Sequence, residues 1–214
     1  MADLILTRSY LPIPTRSKNM LVHGCGRNDV SHPIRVNGKI IRTYLIWENM
    51  MARCYSPKFQ TGESVYIGCT VCQEWLNFSI FESWVLQQDH EGCSLDKDLL
   101  CQGNKIYSPA TCIFVPQALN ALLCDAAAIR GAFPLGVTFN KEKGKFMAQI
   151  TRDNKRVYLG YFLTPLEAHQ AWQLAKIAAI DAAVTNDPRI RAALDKRAAQ
   201  LRDDHANGRI TTKL

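Results

Sequence analysis

Residues 90–120 gather groups that can move a proton or hold a cation: His90, Asp96, Lys97, Asp98, Asn104 and Asn120. A carboxylate at one end of a hairpin and an amide on the helix that follows can converge on one metal ion. An imidazole in a neighbouring loop has a pKa suited to proton transfer near neutrality. Lys97 fits that role poorly. Its ammonium titrates near 10.4 when unperturbed and is protonated at neutral pH. The elements that must position these groups are legible in residues 95–120, LDKDLLCQGNKIYSPATCIFVPQALN. Leu95, Leu99 and Leu100 give a first arm its apolar face. Gln102-Gly103-Asn104 is turn chemistry, because Gly and Asn tolerate positive φ. Ile113, Phe114 and Val115 form a β-branched and aromatic second arm. Pro116 suits the first turn of a helix, on which Asn120 would face back toward the hairpin.

This strand–turn–strand–helix stretch resembles the HNH endonuclease family, in the variant of phage-encoded homing-type enzymes. WENMMARCY, VCQEWLNFSIFESW and LDKDLL extend the resemblance over most of residues 22–125. It implies a ββα-metal fold in which Asp96 and Asn120 bind Mg²⁺ and Asn104 braces the hairpin. Lys97 stands where that family has its general-base His. The resemblance leaves three alternatives: a rewired base (Asp98 or His90), a Lys97 that acts on phosphate, or a site that no longer cuts.

At 214 residues the chain can form one large domain or two small ones. No apolar run approaches the roughly 20 residues of a membrane helix. The opening MADLILTRSYLPIP lacks the basic lead-in of a signal segment, which reads as cytoplasmic, in a bacterial host if the chain is phage-encoded. Net charge is +7, and +6 of it falls in residues 131–214. A basic second part on a near-neutral first part points to a polyanion contact or to a solvated basic surface. Of eight cysteines only Cys69 and Cys72 form a CxxC, and no His has zinc-finger spacing. Structural zinc is therefore disfavoured, with Cys54, Cys69, Cys72 and Cys93 as the ligands it would use.

Residues 1–21 lack periodicity and read as an arm. Residues 34–44 alternate about Asn37-Gly38, a hairpin signal. Arg35, Lys39 and Arg42 there would be phosphate contacts or solvated charges. Residues 44–54 carry an aromatic and Met stripe at helical spacing, and residues 71–86 carry a second apolar helical face through Val71, Trp75, Phe78, Phe81 and Val85. Residues 125–135 read as a linker.

After the linker, residues 136–140, 145–152 and 155–162 alternate as three strands, with Asp153-Asn154 as a turn. Thr164, Pro165 and Glu167 spell a capping box with Pro at the first helical position. Ala168, Ala171, Trp172, Ala175 and Ala182 give the helix a small-residue face on which a sheet can lie closely. GVTFNKEKGKFMAQI followed by RVYLGYFLTPLEAHQAW resembles the plant ethylene-response-factor (ERF, APETALA-type) DNA-binding domain over about 50 residues. Phage homing-type nucleases carry such a domain after their HNH part. The resemblance implies double-stranded DNA as partner, contacted through the strands. Thr138, Gln149 and Thr151 replace charged residues of that family. Lys141, Lys143, Lys145, Arg152, Lys155 and Arg156 remain as phosphate contacts, which set position more than sequence, and Gln149 can read adenine. A basic helix over 187–205, capped by Asp187, either extends the DNA surface or docks on the fold.

The expectation is an α+β chain in four parts: arm 1–21, HNH-like domain 22–130 with flanking helices, ERF-like sheet on one helix 131–184, and C-terminal helix and tail 185–214. It binds DNA, without a membrane partner. It is either a metal-dependent nicking enzyme or a non-catalytic DNA-binding protein on a nuclease frame.

Overall fold

Asn37 and Gly38 both adopt positive φ, 50° and 76°, as a tight hairpin turn of the primed type demands. They join β1 (Arg35–Val36) to β2 (Lys39–Ile40) as an antiparallel ribbon. The computed structural model describes residues 21–62, 65–123, 132–152 and 155–213. The arm thus lies almost wholly outside the described residues, as do the 153–154 turn and residues 125–131 of the linker. Mixed α and β elements fill the rest, and among the described residues no helix is long and apolar enough to cross a membrane. Contacts group the chain into two compact units, Met1–Val85 and Leu86–Leu214.

In the first unit, α1 (Arg42–Tyr55) buries Tyr44, Trp47, Met50, Met51 and Cys54, the stripe its spacing predicts. Trp47 Nε1 donates to the carbonyl of Trp75 at 2.7 Å, so the buried indole keeps a partner. The second apolar face is not one helix over 71–86. The chain instead passes through β3 (Thr70–Val71), a 3₁₀ turn at Glu74–Leu76 and extended Asn77 before α2 (Phe78–Val85). Residues far back in the chain make this break. Arg27 N donates to Leu76 O at 2.8 Å, and Phe78 N donates to Arg27 O at 3.0 Å. Asp29 then accepts from the Ser79 backbone N–H and hydroxyl at 2.9 and 2.6 Å, capping the start of α2. Val71, Trp75, Phe78, Phe81 and Val85 are all buried nonetheless.

In the second unit, β4 (Cys93–Asp96) pairs antiparallel with β6 (Ile113–Pro116), and α3 (Gln117–Leu123) follows at once. Three expectations need correction. The first arm stops at Asp96 rather than running on to Leu100, and the turn at 102–104 is part of a longer loop, 97–112, which contains the short β5 (Ile106–Tyr107). The cause is Asp96 itself, whose Oδ1 accepts from the backbone N–H of Asp98 and of Leu99 at 2.9 and 2.6 Å and folds the chain out of the ladder. Pro116 ends β6 instead of opening the helix, a place where its missing N–H costs the ladder little.

Next, β7 (Val137–Asn140), β8 (Lys145–Arg152) and β9 (Lys155–Phe162) form an antiparallel sheet in that order. Helix α4 (Pro165–Asp181) packs on it with the expected capping box, Thr164 Oγ1 accepting from Glu167 N and the Glu167 carboxylate from Thr164 N. Helix α5 (Pro188–Ala206), capped by Asp187, packs on α4. Leu99, Ile113, Val115 and Leu119 share one buried cluster with Ile150, Trp172, Ile180 and Leu194. The β4–β6 hairpin and the three-stranded sheet therefore rest on a common core, and the contacts divide the chain at 85/86 where the sequence suggests 130/131.

The arginines of α5 are turned inward or matched, while Lys196 is exposed. Arg197 is buried and donates to the carbonyls of Ala193 and Asp98. Arg189 pairs with Asp187, Arg191 with Asp195 and Arg202 with Asp181. Of the two roles open to this helix, docking fits that pattern. The chain end is pinned as well. His169, fully buried and stacked on Trp172, places Nδ1 2.9 Å from Leu135 O, while its Nε2 accepts from Thr211 N at 2.9 Å. Thr211 Oγ1 donates to Asp204, which also takes bonds from Gln200 and Arg209.

Burial alone would raise the Asp204 carboxyl, but the bonds from Thr211, Gln200 and Arg209 and the charge of Arg209 hold it below its ordinary value. A carboxylate depressed on folding stabilises above its unfolded pKa of about 3.9 and loses that contribution as pH falls through the folded value. Asp204→Asn is therefore expected to lower unfolding free energy by about 1–3 kcal/mol at neutral pH. In denaturant titrations the gap to the native chain should close below about pH 4.

Candidate nucleic-acid interface

The loop after β4 holds four of the singled-out residues together. Lys97 is only 6 % exposed, and its ammonium donates to Asp98 Oδ2 at 2.9 Å and to Asn104 O at 3.1 Å. Asn104 closes the same loop from the other side. Its Nδ2 donates to the carbonyls of Lys97 and Ile106, both at 2.7 Å, and its Oδ1 accepts from Ile106 N at 3.2 Å. Burial pushes the Asp96 carboxyl above its ordinary range, and the charge of Asp98 pushes it the same way. The N–H groups of Leu99 and Asp98 oppose both. Asn120 is half-buried on α3, the helix that packs on β4 and β6. His90 turns elsewhere: Nδ1 lies 3.2 Å from Gln88 O, Nε2 3.5 Å from the Glu91 carboxylate, and its ring sits against Phe114. Among the described residues no three His, Cys, Asp or Glu side chains could together hold a metal ion. An ammonium seated inside a loop on a carboxylate and a carbonyl acts as a brace. To reach a phosphate it would have to leave both partners.

The three-stranded sheet offers a different kind of surface. Alternation along β8 sends Ala148 and Ile150 to the helix side, where both are buried, and Lys145, Met147, Gln149 and Thr151 to the open side. Register adds Thr138 opposite Met147, Asn140 opposite Lys145 and Arg156 opposite Thr151. Lys141, Lys143 and Lys145 are exposed at the β7–β8 end. Arg152 and Lys155 face each other at the far end, at register positions of the helix side. Seven of the nine sheet residues expected to touch DNA thus lie on the open face or its rim. None of the three strands contains an acidic residue.

Two tyrosines on this face were not among the residues expected from the sequence to touch DNA. Tyr161 lies opposite Met147 and Tyr158 opposite Gln149, with ring centroids 5.1 Å apart. Residues three apart on a regular strand point to opposite faces. Here the register shifts at Ala148/Gln149, so Leu159 and Gly160 together oppose Ala148, and the added residue brings both rings to one side. The bulge needs Gly160, whose φ of 144° is one that other residues avoid and whose added Cβ would meet the Phe162 ring at 3.2 Å. The Lys143 ammonium sits 4.2 Å from the Tyr161 ring centroid, and Asn140 holds that turn by accepting from Lys143 N at 2.9 Å. The Gly before Tyr161 was the one hint in the sequence, since Gly inside a strand can mark a bulge.

No family model, curated protein or solved structure matches this chain.

Gly160→Val is expected to destabilise the protein by about 1–3 kcal/mol through backbone strain and to disturb the tyrosine pair. The near-ultraviolet circular dichroism of the tyrosines should change while helical content holds. A variant with unchanged melting and tyrosine signal would mean that the bulge does not set this face.

Proposed function

We propose that this protein binds double-stranded DNA through the open face of β7–β9, as a DNA-binding protein on a nuclease-like frame that does not itself cut. The observation that carries this reading is a single sheet face with polar and aromatic groups at its centre and Lys143, Lys145 and Arg156 at its rim. Three strands about 4.8 Å apart span about 10 Å between the outer two, narrower than a major groove about 12 Å wide. Rim cations would neutralise phosphates and fix orientation, while the centre meets base edges. The ERF-like motifs agree with this use of the sheet.

Binding of a labelled duplex, followed by fluorescence anisotropy, should weaken at least tenfold between about 50 and 200 mM salt. Replacing Lys143, Lys145 and Arg156 with Ala should flatten the log–log salt slope by about 0.9 for each phosphate that is no longer neutralised. Affinity indifferent to salt and to these substitutions would sink the proposal.

The strand–strand–helix order of β4, β6 and α3, with Asp96 at a strand end and Asn120 on the helix, favours a second reading, an HNH-type nicking enzyme using Mg²⁺. Asp96 and Asn120 would hold the ion there, and the ion would stabilise charge on the leaving oxygen. The seating of Lys97 weighs against it, since the position of the base is filled by a structural brace. Supercoiled plasmid incubated with the protein and Mg²⁺ or Mn²⁺ is expected to stay intact. Metal-dependent nicking that Asp96→Ala abolishes would install the nuclease reading instead.

A further inference from the structure

We infer that the open sheet face reads A·T base pairs by their major-groove edges, with Gln149 as the residue that sets the preference. This inference rests on the DNA-binding reading above and names the kind of target that reading leaves open. Gln149 lies near the middle of the central strand, half-buried between Thr138's strand and Tyr158, with its backbone N–H held by Gly136 O at 2.9 Å. Its side-chain amide makes no hydrogen bond among the described residues, so a donor and an acceptor remain side by side. Adenine presents the matching pair, the N7 acceptor and the N6 donor, and guanine presents two acceptors.

The surroundings complement the other half of the pair. Met147 and Thr138 are cross-strand partners on this face. The Thr138 hydroxyl oxygen is buried without a partner among the described residues, so it offers no exposed hydrogen-bonding group to a base. Tyr158, 54 % exposed, flanks the amide from β9. Carbon-rich groups beside an amide suit the C5-methyl of thymine. A carboxylate, which would accept from cytosine N4, is absent from the strands. Arg156, the cation able to take guanine in a bidentate contact, sits on the outer strand opposite Thr151, toward the end of the sheet.

The test compares short duplexes of A·T, G·C and inosine·cytosine pairs at one salt concentration, using the unaltered protein. Inosine·cytosine looks like A·T in the minor groove and like G·C in the major groove. A·T is expected to bind about tenfold more tightly than either of the others. Substituting 7-deazaadenine, which removes N7, should erase most of that ratio, and Gln149→Ala should do the same while the salt slope stays unchanged. Equal affinity for A·T and G·C would overturn the inference and leave DNA binding intact. Inosine·cytosine binding as tightly as A·T would overturn it by moving the readout to the minor groove. Failure to bind any of the three would remove the reading beneath it.

Discussion

The close seat of α4 on the three-stranded sheet is what the rest of the larger unit depends on. Ala168 meets Ala148 and Val137 there, all three nearly inaccessible to water. Small side chains let helix and sheet approach closely, and one face of the sheet is consumed by the contact. Everything else on β7–β9 must then project the other way, so the open face follows from the buried one. The same helix also ties the sheet to the rest of the unit: Trp172 and Ile180 enter the cluster that takes in Leu99, Ile113 and Val115 of the β4–β6 hairpin and Leu194 and Leu201 of α5.

Several buried polar groups in this unit are bonded into two networks, although Thr138 Oγ1 and Gln173 Oε1 stay without a partner among the described residues. Around the 97–104 loop, Lys97, Asp98 and Asn104 bond one another and the backbone between them, and Arg197 reaches in from α5 to the Asp98 carbonyl. At the chain end, His169, Gln173, Thr211 and Asp204 do the same for residues 209–211. A buried ammonium or imidazole is costly unless partnered, and such networks are destabilised sharply when one member is removed. That physics favours a structural role for Lys97, even though it lies between two carboxylates in a stretch that looks catalytic.

Charge tells a similar story of division. The basic surplus of residues 131–214 suggests a broad positive surface, yet the arginines of α5 are paired with carboxylates or bonded to carbonyls. Exposed cations concentrate instead at the β7–β8 turn and the outer strand. A polyanion would meet a narrow rim around a polar, aromatic centre, an arrangement better suited to a defined docking orientation than to diffuse attraction.

Local signals were enough for several elements. Asn37-Gly38 specified its hairpin, Thr164-Pro165-Leu166-Glu167 specified the start of α4, and strict alternation from Lys145 assigned the two faces of β8, because each depends only on neighbours in the chain. The sequence also placed most of the open-face residues, since period-two alternation fixes sidedness. Other features were decided by the tertiary structure. The break before α2 is made by Asp29 and Arg27, some fifty positions away. The end of β4 comes from a carboxylate turning back on its own backbone. The burial of Lys97 and Arg197 depends on a loop and a helix that meet across 99 positions. The pairing of Tyr158 with Tyr161 depends on one bulged residue whose location is set by the partner strand. Periodicity records which side chains avoid water, but hydrogen bonds between distant segments determine where an element stops and which polar groups are left to face a ligand.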